Sequence, residues 1–114
     1  MRWLLALLLL TVISLAPRPA AAGQFLDGNG LLALCTSTDP YAGLECTGYI
    51  KGVADAFAFQ MDGARRPLCI PDRVTAKELI DVTVKWLRAN RPELSYPAVA
   101  TVGIAIAEKW KCGE

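Results

Sequence analysis

The order of apolar and polar positions divides the chain into an apolar leader and four stretches of helical period. Residues 4–16 are apolar apart from Thr11 and Ser14, and they follow the basic start Met1-Arg2-Trp3. Pro17 ends the run, and Ala20-Ala21-Ala22 then supply the small residues that a signal peptidase reads. This is the layout of a cleavable secretory signal over residues 1–22. The run falls short of the about 20 apolar residues that a membrane span needs. The mature chain is therefore expected to cover 23–114, with no membrane segment once the signal is removed.

Nothing in the mature part alternates with a period of two, so the expected fold class is all-α: a small four-helix domain. A short first helix is expected over 28–37, with Leu31, Leu34 and Cys35 on one face, followed by a loop at 38–43. In Asp27-Gly28-Asn29-Gly30, the opening of a calcium loop has no later ligands and no closing glutamate, so a turn and helix cap is the expected role. The second and central helix is expected over 44–61, ended by Asp62-Gly63. Tyr49, Val53 and Phe57 form one row along it, and Ile50, Ala54 and Ala58 a second. Gly48, Gly52 and Ala56 form a third row, of small residues. Glycine inside a helix costs up to about 1 kcal/mol against alanine, so this row is expected where another helix packs close.

The third helix carries the strongest local signature. Thr75 and Glu78 fit a capping box, and Val74 and Leu79 stand where a hydrophobic staple would close around it. Leu79, Val82 and Trp86 form its apolar stripe, widened by Ile80, Val84 and Leu87, and Asn90-Arg91-Pro92 stops it. The fourth helix is expected from Ser95 or Tyr96, with Pro97 in its first turn and Val99, Val102, Ile106 and Trp110 on its core face, ending at Cys112.

Cysteine content changes the picture next. Cys35, Cys46, Cys69 and Cys112 all lie beyond the leader. An even count in a small exported chain points to disulfides. Metal binding is disfavoured, because the chain has no histidine and no Cys-x-x-Cys pair. Short connections make consecutive helices antiparallel neighbours. Cys35 then lies at the same end of one hairpin as Cys46, and Cys69 at the same end of another as Cys112. Cys35–Cys46 and Cys69–Cys112 are the expected bonds, one of three connectivities that four cysteines allow.

Charge and residue types then exclude whole classes of function. Twelve Lys and Arg, less Arg2 and Arg18, leave ten against eleven acids, a mature net charge of −1. Nucleic acid is not an expected partner, because it needs a clustered basic surface. Without histidine or a free thiolate the chain lacks the usual nucleophile and neutral-pH proton carrier. It is expected to be no enzyme, with no catalytic residue, no metal and no cofactor. Arg65-Arg66 is read as an exposed basic turn, and Trp86 and Trp110 as core. A protein-binding role is what remains.

One resemblance covers nearly the whole mature chain. Cys46-Thr47-Gly48-Tyr49-Ile50-Lys51-Gly52-Val53 resembles the core motif of the Rap/Tai family, the immunity proteins against type VI secretion amidases. Cys69-Ile70-Pro71, Val74, Val84-Lys85-Trp86-Leu87, Asn90, Pro92, Pro97-Ala98 and Trp110-Lys111-Cys112 continue the pattern. Lys111 stands where the family often has proline, and Arg91 lengthens the turn between Asn90 and Pro92. The resemblance implies a helical periplasmic protein that binds and blocks a peptidoglycan amidase effector, often as a homodimer. It also implies partner contact through the loop from Asn90 to Tyr96, with Arg91, Glu93 and Tyr96 as the partner-binding residues. The alternative is a small helical envelope chaperone of acid stress, which would have to sense acid through carboxylates.

Overall fold

A computed structural model of the chain describes residues 25–59 and 68–113. The leader, the helix stop at Asp62-Gly63 and the Arg65-Arg66 turn lie outside the described residues. Among the described residues, four α-helices and one 3-10 turn make up the regular structure: α1 (Gly28–Thr36), α2 (Pro40–Phe59), α3 (Ala76–Ala89), the turn Arg91–Glu93, and α4 (Ala98–Lys109). Among the described residues the one strand-like feature is an isolated antiparallel bridge between Asp27 and Pro97. Each helix packs on the other three.

Local chemistry accounts for the helix starts. The Asp27 side chain caps α1 by accepting from the Gly30 N–H at 2.8 Å. Thr75 and Glu78 form both halves of the capping box at the start of α3. α2 starts four residues before its expected first turn, inside the stretch read as a loop. Asp39 supplies the cap, its carboxylate accepting from the Tyr41 N–H at 3.0 Å, and Pro40 takes the first helical position. Aspartate followed by proline is a helix opening as well as a turn signal, because proline lacks only an N–H that a first turn leaves unpaired.

The core is one cluster drawn from all four helices. Leu31 and Leu32 of α1, Cys46, Ile50, Val53 and Ala54 of α2, Leu79 and Leu87 of α3, and Ala98, Val102 and Ile106 of α4 are buried in it. The deepest line of α3 is Leu79, Thr83 and Leu87, rather than Leu79, Val82 and Trp86. Thr83 takes a core position because its hydroxyl donates to the Leu79 carbonyl at 2.9 Å, leaving a methyl to face the core. Trp86 and Trp110 flank the core half-buried, and the Trp86 indole N–H donates to Glu108 at 2.8 Å. On α4, Val99 is 43% exposed, against its expected core place. The helix starts at Ala98, and Ala98, Val102 and Ile106 face inward instead.

The expectation for the glycine row of α2 fails. Among the described residues, a Cβ added at Gly48 or Gly52 would meet nothing within 4 Å, and Gly48, Gly52 and Ala56 are all exposed. Close approach occurs elsewhere. A Cβ on Gly103 of α4 would stand 3.1 Å from the Phe57 ring, and Gly28 of α1 lies against Leu94.

Both disulfides form as the hairpin reading expects. Cys35–Cys46 ties the end of α1 to α2, and Cys69–Cys112 ties the segment before α3 to the chain just past α4, which ends at Lys109 rather than at Cys112 as expected.

Candidate partner-binding loop

The stretch Asn90–Pro97 joins α3 to α4. Asn90 ends α3, its side-chain amide donating to the Trp86 carbonyl at 2.8 Å. The chain then tightens into the 3-10 turn Arg91–Glu93, with Pro92 inside it. Glu93, Leu94 and Tyr96 each donate their N–H to a carbonyl three residues back, at 2.9, 3.3 and 3.2 Å. The turn therefore satisfies three of its backbone donors internally.

Two of its carbonyls serve a second element. The N–H groups at the start of a helix have no partner within the helix. At α1 the Gly28 N–H donates to the Tyr96 carbonyl at 3.0 Å, and the Asn29 N–H to the Leu94 carbonyl at 3.0 Å. The Ala98 N–H completes the join by donating to the Leu26 carbonyl at 2.9 Å. The first turn of one helix and the loop before another thus satisfy each other across most of the chain's length.

Leu94 anchors the arrangement and is fully buried. Its neighbours Arg91, Pro92, Glu93, Ser95 and Tyr96 are exposed. Among the described residues no ion pair or side-chain hydrogen bond restrains Arg91, Glu93 or Tyr96; the one ion pair is Lys77–Asp81, on the outer face of α3. All three sequence-expected residues thus lie on one short, hydrogen-bonded loop with their side chains exposed. Tyr96 is 57% exposed, and the exposed Val99 follows one turn further on. Beneath Val99 lies Tyr49 of α2, whose phenol burial pushes upward in pKa while a backbone hydrogen bond at Val99 pulls it down.

Sequence reasoning missed the anchor. Leu94 is the lone large apolar residue between Asn90 and Ser95, and that isolation was the available signal. Gly28 was legible only as part of a turn, because its role depends on a residue far along the chain.

Among the described residues no group of histidine, cysteine or acidic side chains could hold a metal, and no helix is long and apolar enough to cross a membrane. The described residues thus form a disulfide-stapled helical domain with an exposed turn bonded to the start of α1. The family model of the Rap1a immunity proteins matches residues 27–112, which is most of the chain, so the chain belongs to the Rap1a immunity protein family. No curated protein and no solved structure matches it. Membership makes it an immunity protein, one of a typically non-catalytic kind that binds a protein effector. Its two disulfides accord with an oxidising compartment.

Proposed function

We propose that this protein is a periplasmic immunity protein that blocks a peptidoglycan amidase delivered by a type VI secretion system. The leader over 1–22 would carry it to the periplasm. The clamped loop is the observation that carries the reading. Arg91, Glu93 and Tyr96 project from a turn whose backbone is already bonded and whose Leu94 is already buried. A loop held in its bound shape beforehand loses little freedom on association. Arginine and tyrosine are also the side chains that most often dominate interface energies. The mechanism is occlusion: the turn enters the amidase cleft and excludes substrate, with no chemistry of its own. It resembles in this the protruding loop that some inhibitors of the Rap/Tai family insert into the amidase cleft.

The test is binding of the oxidised, signal-processed protein to a panel of type VI amidases, with peptidoglycan cleavage followed in the same tubes. Tight binding with lost cleavage is expected for one of them. Arg91→Ala and Glu93→Ala should each weaken that complex about tenfold without lowering the melting temperature. Unchanged affinity in both would remove the loop from the mechanism, and failure to bind any amidase would remove the effector class.

A further inference from the structure

The loop meets α1 along a line that has no room for a side chain. A Cβ placed on Gly28 would lie 2.9 Å from Leu94 Cα, 3.0 Å from the Leu94 carbonyl oxygen and 3.1 Å from Leu94 Cδ2. The two nearest atoms are backbone, so no rotamer change can make space. The contrast with Gly30 is informative. A Cβ there would meet Leu26 Cδ1 at 2.6 Å, and that is the tip of a flexible side chain. Backbone conformation is not the reason for glycine at 28, since among the described residues only Gly113 has a positive φ. Gly28 is required for space alone.

We propose that Gly28 is a positioning residue for the loop, so that the first turn of α1 and Asn90–Tyr96 work as one rigid recognition element. This rests on reading the loop as the part that contacts the effector. A side chain at 28 has to lift the loop off α1. The hydrogen bonds from Gly28 to Tyr96 and from Asn29 to Leu94 are then lost together, and Leu94 leaves its buried seat. Arg91, Glu93 and Tyr96 keep their chemistry but lose their common orientation. Affinity then falls by the fraction of molecules whose loop still holds the binding shape.

The experiment pairs two readouts on the oxidised, signal-processed protein: amide hydrogen exchange in the free protein, and affinity for the amidase that the panel identifies. In Gly28→Ala, exchange at residues 28 and 29 should accelerate at least about tenfold, while the core amides of Ile50 and Val102 keep their protection. Affinity, measured well below the melting temperature, should weaken by roughly the same tenfold. Asp27→Ala removes the α1 cap without adding an atom near Leu94, and serves if Gly28→Ala does not fold. It should shift both readouts in the same direction by about fivefold. A residue with only a structural role would lower the melting temperature and leave affinity alone. Faster exchange with affinity unchanged within about twofold would overturn the proposal, as would unaltered exchange in Gly28→Ala. If the unaltered protein binds no amidase, the effector reading fails by itself, and exchange alone then decides whether Gly28 sets the loop.

Discussion

Gly28 on α1 and the pair Gly48 and Gly52 on α2 are all helical glycines, and their surroundings are opposite. At Gly28 the backbone of Leu94 stands so near that even a methyl group would collide with it. At Gly48 and Gly52 an added methyl would point into open space. The row of small residues on α2 carries the more conspicuous pattern, with glycines four apart, yet among the described residues nothing approaches Gly48 or Gly52. A lone glycine just after an N-cap carries almost no pattern, and there two elements are pressed together. Spacing describes the face of one helix. Whether anything comes to that face is decided by the rest of the fold.

Substitutions can break or sharpen this contrast. Leu94→Ala should have the largest effect, because it empties a fully buried position; a loss of about 2–5 kcal/mol in urea unfolding is expected. Gly28→Ala should follow, destabilising by about 1–3 kcal/mol through overpacking against backbone. Gly48→Ala and Gly52→Ala should go the other way, each stabilising by up to about 1 kcal/mol, since alanine is the better helix former and meets no neighbour. A gain that turned into a loss as protein concentration rose would show that a second copy packs on this face. The smallest effect should be at Glu78. Hydrogen bonds from the backbone and hydroxyl of Thr75 hold its carboxyl below the usual range. A carboxylate with a depressed folded-state pKa adds stability above its unfolded pKa, and that stability is lost as pH falls through the folded value. Melting curves of Glu78→Gln and the unaltered protein should therefore differ near neutrality and converge in acid; a constant gap would show that the box is not carried by the charge.

The same contrast explains how much could be read from residues alone. The capping box of α3, the apolar rows of α2 except the exposed Ala58, and the two disulfides rest on short-range chemistry or on hairpin geometry, and these survive in the fold. The early start of α2 was hidden because Asp39-Pro40 means turn and helix opening alike until its hydrogen bonds are seen. Thr83 was overlooked because a hydroxyl counts as polar in any periodic pattern, whereas its bond to Leu79 lets it sit at zero exposure. At the loop, Arg91, Glu93 and Tyr96 were legible as exposed residues between two helices. What holds them was not, because the Gly28–Leu94 and Asn29–Leu94 contacts join distant parts of the chain.

The two disulfides close rings of very different size. Cys35 and Cys46 are 11 residues apart, while Cys69 and Cys112 are separated by 43. In a chain that emerges N-terminus first, the small ring has both its sulfurs before Cys69 appears, and the large ring must wait for Cys112. Four free cysteines allow three pairings. Once the first ring is shut, Cys69 has one partner left, so a prompt oxidation at the α1–α2 hairpin removes both wrong outcomes. Early closure of the hairpin would thus fix the pairing left to the rest, whereas an oxidant that arrived late would meet all four thiols at once.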